Sequence, residues 1–300
     1  MKGPEMRRSL TPPPQNSRDV YITCITNTRP ATFAKLAAAE DDVVDAADQF
    51  EAAAQKQALH TLGHLNEQPA NKADRERLAK VYEGRLVDTR GPGRTTYDAI
   101  KARSAFCPLC TIGTVSTIDH HLPKMKYPLL AVVPVNLVPA CGDCNKKKGE
   151  HAPATEEEQT LHPYYPVQTL FEHPWLVARI LPPTATRGIV AAFSVSPHPE
   201  WPPVLAARLN SHLRVLELDT RFTYAVVSEL SAVSNLVATW TARGLPRHGI
   251  SRILADHAAA RGAGESLNTP MAALYRALAE DDSYINGGWR SPIEHVPSEA

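Results

Sequence analysis

The chain has 300 residues, 43% of them hydrophobic, with 32 basic and 32 acidic side chains and a formal net charge of zero. That apolar content suffices for a packed core, while the balanced charge excludes steering of the whole molecule towards nucleic acid, so any such attraction must be local. No apolar run approaches bilayer length, and the polar start with Arg7, Arg8 and Pro12 to Pro14 offers no apolar signal core, which sets the expectation of a cytoplasmic protein without a membrane partner.

Residues 1–18 are proline-rich and polar and read as disordered. Val20 to Thr23 read as a short extended piece, so residues 1–30 form a largely unstructured segment. From Ala31 to about Leu62 the apolar residues Phe33, Leu36, Val43, Ala47, Phe50 and Ala54 recur at helical spacing with one slip. The acids Glu40, Asp41, Asp42, Asp45, Asp48 and Glu51 on that stretch read as a solvated face rather than a metal site. A second helix is predicted over Asp74–Leu86 and a third over Tyr97–Arg103, separated by the breaker Gly91-Pro92-Gly93. Residues 31–104 thus read as a helical region.

The next segment carries the chemistry. Of five cysteines, Cys24 stands alone and four form Cys107-x2-Cys110 and Cys141-x2-Cys144, thirty residues apart. A secreted disulfide scaffold would be shorter and denser in cysteine. Two knuckles of this spacing complete a tetrahedral thiolate site for one structural Zn2+, which, with no open position, holds structure and does not catalyse. Two redox pairs are the alternative reading. Between the knuckles lie Asp119-His120-His121-Leu122-Pro123-Lys124 and Asn136-Leu137, and Asn145-Lys146-Lys147-Lys148 follows the last cysteine. A carboxylate and an amide oxygen suit Mg2+ or Mn2+, a histidine beside them suits proton abstraction from water, and lysines suit phosphate. From Lys101 to Gly149 there are seven basic residues against Asp119 and Asp143, a local balance of +5.

Asp119-His120-x-x-Pro123, Asn136-Leu137 and Asn145-x-x-Lys148 inside a four-cysteine frame resemble the HNH (ββα-metal) endonuclease superfamily, over about forty-five residues. The resemblance implies a module over 105–150 with a strand near Val115–His120, a second near Leu137–Ala140 and a helix from about Cys141. It implies Asp119 and Asn145 as ligands of a catalytic Mg2+ or Mn2+, and His120 as general base. Asn136 would brace the loop and orient the histidine backbone, and Lys124, Lys146 and Lys148 would contact phosphate. His121 would stand behind the site. Some relatives carry a His-His pair, and that register would make His120 the ligand and His121 the base; spacing to Pro123 favours His120 as base. The implied substrate is nucleic acid, DNA before RNA. A resemblance to Septu-like bacterial anti-phage systems implies an ATPase partner subunit.

Beyond the module, Trp175–Ile180 and Ile189–Val195 read as a hairpin. Leu205, Leu209, Leu213 and Leu216 form one helical stripe. Phe222, Val226, Leu230, Val233, Val237 and Trp240 form another, capped by Asp219-Thr220. Thr269-Pro270 starts a last helix to about Glu280. His162-Pro163-Tyr164 reads as packing behind the site, Asn286-Gly287-Gly288-Trp289 as a turn docking the C-terminal tail, and Cys24 as a buried thiol.

The expected fold class is therefore α+β, mainly helical: a ββα-metal module with N-terminal helical flanks and, over 151–300, a hairpin plus helices. A non-catalytic zinc-knuckle module binding nucleic acid or protein, and an RNase or toxin effector, remain as alternative functions.

Overall fold

A computed structural model describes residues 10–185, 187–264 and 266–294; the expectation for residues 1–9 and for the tail after Glu294 lies outside them. The architecture is α+β and mainly helical, with two small antiparallel sheets. Contacts divide the chain at Pro166–Val167 into two compact units. Among the described residues no helix is long and apolar enough to cross a membrane.

The first unit begins earlier than composition suggested. Leu10 is buried and its N–H donates to the Pro163 carbonyl, while Arg103 donates to the Thr11 and Pro12 carbonyls. Residues 20–23 are helical, not extended: α1 spans Ser17–Ile25, with the Asn16 side chain accepting from the N–H groups of Arg18 and Asp19. Val20, Tyr21, Cys24 and Ile25 fall on one face and are buried, a pairing of positions that a period-two reading of four residues misses. The single helix expected from Ala31 to Leu62 is three pieces: α2 (Pro30–Ala37), α3 (Glu40–Gln55) and a 3-10 turn over Leu59–Leu65. The break after Ala37 is the slip in the apolar spacing, and Phe33 ends up exposed. Asp41, Asp42, Asp45 and Asp48 of α3 are exposed, with Arg18 paired to Glu40 and Asp41.

α4 (Lys72–Val81) starts behind an Asn71 cap and runs into a single π turn, Tyr82–Val87. α5 (Arg94–Lys101) starts three residues before the predicted Tyr97 because Gly93 accepts the first helical hydrogen bonds, from Thr96 and Tyr97. Gly93 is needed there: a Cβ would come within 2.7 Å of Cys24 Sγ and 2.8 Å of Leu86 Cδ1. Two four-residue strands follow, β1 (Thr117–His120) and β2 (Leu137–Ala140), paired antiparallel with Asp119 opposite Val138 and His120 opposite Leu137. α6 (Gly142–Lys148) comes straight off β2 with Cys141 as its N-cap and packs against β1.

In the second unit, β3 (Leu176–Leu181) and β4 (Val190–Val195) form the hairpin. The Asn268 side chain accepts from the N–H groups of Trp175 and Leu176 and donates to the carbonyls of Leu170 and His173, which fixes the entry to β3. α7 (Pro203–Val215) buries Leu205, Leu209 and Leu213. The long stripe from Phe222 to Trp240 is two helices, α8 (Leu218–Ala225) and α9 (Val227–Ala242), kinked apart at Val226. Asp219-Thr220 does not cap: Glu217, in a left-handed conformation, precedes the first turn. α10 (Arg247–Gly264) lies against α11 (Pro270–Glu280), whose Thr269 cap and Pro270 first turn follow the sequence reading. α12 (Asp282–Ile285) leads to a turn at Gly288–Arg290, where Arg290 lies over Trp289.

Candidate functional site

The first knuckle is a tight turn: Cys107 N–H donates to Gly113 O at 2.7 Å, and Thr111 N–H returns to Cys107 O at 2.8 Å. Gly113 lets the second knuckle close on it, since a Cβ there would sit 2.8 Å from both Cβ and Sγ of Cys141. The ligand atoms of Cys107, Cys110, Cys141 and Cys144 all lie within 4.8 Å of one another, and all four residues are buried. Four soft sulfurs converging at this separation fit one tetrahedral Zn2+. Without a cation the thiols perturb one another: hydrogen bonds from Cys107 and Cys144 pull Cys110 down, and Cys107 is pushed up to about 12 by its hydrogen bond to Cys110. Among the described residues this is the one cluster of three or more His, Cys, Asp or Glu side chains able to hold a metal.

The strand β1 leads away from that cluster and carries Asp119 and His120 as consecutive residues at its end, both buried. Asp119 Oδ1 lies 3.3 Å from Lys148 Nζ in an ion pair almost closed to solvent. Burial pushes the Asp119 carboxyl up to about 6, with the Lys148 ammonium only partly opposing it. Lys148 is thus not a surface lysine: its ammonium meets Asp119, whereas Lys146 is exposed. Lys124 is half-buried, paired with Glu83 at 2.9 Å and 5.7 Å over the Tyr82 ring. Asn145, three residues before Lys148, is half-buried on α6, and this spacing puts both on one helix face.

His120 Nε2 is 2.8 Å from the Ala131 carbonyl. A carbonyl only accepts, so Nε2 carries the proton and Nδ1 keeps its lone pair. Burial holds this imidazole down to about 3, so it is neutral throughout the physiological range. Its ring is packed edge-on at 4.3 Å by Tyr82, whose hydroxyl donates to the Ile118 carbonyl at 3.3 Å. The loop that supplies Ala131 is tied by Asn136, which is fully buried. Its Oδ1 accepts from Leu122 N–H at 2.7 Å, and its Nδ2 donates to the carbonyls of Leu122 and Leu130 at 3.0 and 3.1 Å. The Asn136 carbonyl also accepts the His121 N–H at 2.8 Å. This one residue therefore spans both ends of the excursion between β1 and β2.

His121 faces away into a buried aromatic group: its ring centroid is 4.2 Å from that of His162, which also touches Phe50, Tyr164 and Tyr165. His162 Nδ1 accepts from Tyr164 N–H, and burial lowers this imidazole to about 3. Tyr164 in turn donates to the carbonyl of Leu137, the register partner of His120. Sequence reasoning placed His162 and Tyr164 behind the site but missed Tyr82 and the Ala131 carbonyl. Nothing local marks either; both reach His120 through the tertiary fold.

No family model matches the chain, and no solved structure does. Over 160 residues it is 34% identical to Protein ea31 of Escherichia phage lambda, a match covering 52% of this chain and 53% of the phage protein. The chain therefore spans about half the length of the curated relative it matches.

Proposed function

We propose that this chain is a metal-dependent HNH endonuclease that hydrolyses phosphodiester bonds of nucleic acid, DNA before RNA. The observation that carries the reading is the His120 imidazole: neutral, its Nε2–H committed to Ala131, and adjacent in the chain to the buried carboxylate of Asp119. The donor chemistry suits a hard divalent cation: Asp119 offers a carboxylate oxygen whose burial one ammonium does not fully offset, and Asn145, three residues before Lys148 on α6, offers an amide oxygen. Bound by Asp119 and Asn145, Mg2+ or Mn2+ supplies positive charge where negative charge develops on the phosphate.

His120 Nδ1 takes a proton from a water as that water attacks phosphorus. The negative phosphodiester favours the imidazolium and so opposes the burial that depresses His120. Ala131 and Tyr82 fix the ring plane, and Asn136 fixes the loop that carries Ala131. The bond from phosphorus to the 3′ oxygen breaks, and that oxygen takes a proton from solvent, leaving a 5′-phosphate and a 3′-hydroxyl. The four cysteines keep β1 and α6 together.

The test is cleavage of labelled duplex DNA, single-stranded DNA and RNA with Mg2+ or Mn2+, with EDTA as control and product ends mapped. Removal of a general base costs roughly 10²–10⁴-fold, so His120→Ala should bind nucleic acid and cut slowly, while His121→Ala should be milder. The reverse ranking would assign the base to His121. Binding without cleavage under every metal would favour the non-catalytic zinc-knuckle module. An ATPase partner and a defence role rest on the Septu-like resemblance alone; co-purification from a cell carrying the neighbouring genes tests them.

A further inference from the structure

Phe106 is the most exposed large apolar side chain among the described residues, at 60%. A single exposed ring would mean little by itself; its mounting is what sets it apart. Phe106 forms an antiparallel bridge with Thr114, and its carbonyl accepts from Ser104 Oγ at 2.6 Å. On either side, Val115 N–H donates to Ala105 O at 2.9 Å and Cys107 N–H to Gly113 O at 2.7 Å. The next residue belongs to the four-cysteine cluster. The ring is therefore held out on backbone pinned from both directions, so little backbone order remains to be gained when something covers it.

The module that carries it is locally basic in sequence. Cys107 and Cys144 have their sulfurs within 4.8 Å, so the start of the first knuckle and the exposed Lys146 and Lys147 after the second belong to one end of the module. Lys101 and Arg103 precede Phe106 in the chain, Arg103 being engaged by the Thr11 and Pro12 carbonyls. Besides buried Asp119, Asp143 is the sole acid between Lys101 and Gly149. Between Lys101 and Gly149 Met125 is the one other large apolar side chain that is exposed, at 51%. A protein interface would present a wider apolar core with depleted charge. One flat ring among ammonium groups matches one base face beside phosphates.

We propose that Phe106 is a stacking platform for an unpaired nucleobase, and that the substrate is nucleic acid presenting such a base: a single strand, or a duplex interrupted by a mismatch or gap. This rests on the nucleic-acid reading above and narrows it. In an uninterrupted duplex the base faces are covered by their neighbours, and the ring has nothing to stack on without extruding a nucleotide.

The experiment uses the full chain carrying His120→Ala, so that probes survive, and fluorescence anisotropy with three labelled DNAs of one sequence: single-stranded, fully paired, and paired with a central mismatch. Stacking lost by alanine substitution corresponds to roughly 5- to 150-fold in affinity. Phe106→Ala should weaken single-stranded and mismatched probes by that much and the paired probe by less than about threefold. Phe106→Trp should restore binding, with its indole emission quenched by the single strand. Unchanged zinc content in both variants separates a lost contact from a disturbed knuckle. If Phe106→Ala binds all three probes like its parent, stacking is refuted while the nuclease reading stands; this is also the result expected of a ring that contacts a protein. If the His120→Ala parent binds none of the probes, the nucleic-acid reading and this proposal fall together.

Discussion

Replacing Asn136 by alanine removes three hydrogen bonds from a fully buried position: one received from Leu122 N–H and two given to the carbonyls of Leu122 and Leu130. The Leu130 carbonyl keeps the Val133 N–H at 3.3 Å, but the N–H and carbonyl of buried Leu122 are orphaned, at roughly 1–3 kcal/mol each. Taking the low end for each gives about 2 kcal/mol, which at about 1.4 kcal/mol per decade is roughly 30-fold in the local opening equilibrium. The damage should be directional. Leu130 immediately precedes Ala131, whose carbonyl orients His120, so freeing the loop also frees the imidazole. The readout needs care, because the four tryptophans are Trp175, Trp201, Trp240 and Trp289, all beyond the division at Pro166–Val167; tryptophan fluorescence reports the wrong unit. Amide hydrogen exchange by mass spectrometry on peptides covering 117–140 reports the right one. Exchange of the Leu122 and His121 amides should accelerate by roughly 30-fold in Asn136→Ala, with peptides of the second unit unaffected. Acceleration below about threefold would refute the assignment of Asn136 as the brace of this loop.

Other outcomes follow from the same geometry. The purified chain should hold about one zinc, and Cys107→Ser or Cys141→Ser should lower both zinc content and soluble yield, measured by elemental analysis. Gly113→Ala should lower zinc affinity with all four thiols present, because its Cβ meets Cys141 at 2.8 Å; competition with a chelator reads this, and parental affinity would contradict the close approach. Folding stability should fall on acidification. His120 and His162 are each held down to about 3, so the unfolded chain binds more protons between their folded and unfolded values, and each histidine's contribution is lost as pH drops below about 6.5. From pH 7 to pH 5 that amounts to about 2 kcal/mol per histidine. Asp119, raised to about 6, works in the opposite sense, its folded form taking up a proton first, by roughly 1 kcal/mol. The net loss should be roughly 3 kcal/mol, and His162→Phe should remove about 2 of it; denaturation curves at the two pH values, at fixed saturating zinc, check the slope.

The parts of the fold legible in the sequence were those fixed by short-range chemistry. Thr269-Pro270 marks a helix start because a hydroxyl cap and a proline without N–H both suit the first turn. The β2 strand over Leu137–Ala140 and the helix from about Cys141 were implied by the resemblance that Asp119-His120, Asn136-Leu137 and Asn145 carry, and both stand there. Breaks were harder. The chain kinks after Ala37 and at Val226, where apolar residues continue and no glycine or proline announces the bend. At the candidate site, the sequence named Asp119, His120, Asn136 and the cysteines, but had no means of showing that Lys148 is buried against Asp119 rather than offered to solvent. Tyr82 lies far upstream of His120 and meets it only because the π turn at the end of α4 swings it inward. A pattern along the chain does not encode such a contact; the packing of α4 against the loop does.

α6 has seven residues, too few for a helix to persist in water by itself, and its N-cap is the Cys141 sulfur, which accepts the Cys144 N–H at 3.4 Å. A single atom thus serves as helix cap and as cluster ligand. Zinc bound by the four sulfurs would therefore also stabilise the helix, and with it the positions of Asn145 and Lys148. Linkage makes this reciprocal: anything that grips the far end of α6 must tighten the grip of the four thiolates by the same factor. The two ends of one short helix behave as a balance beam, on which loading either pan steadies the other.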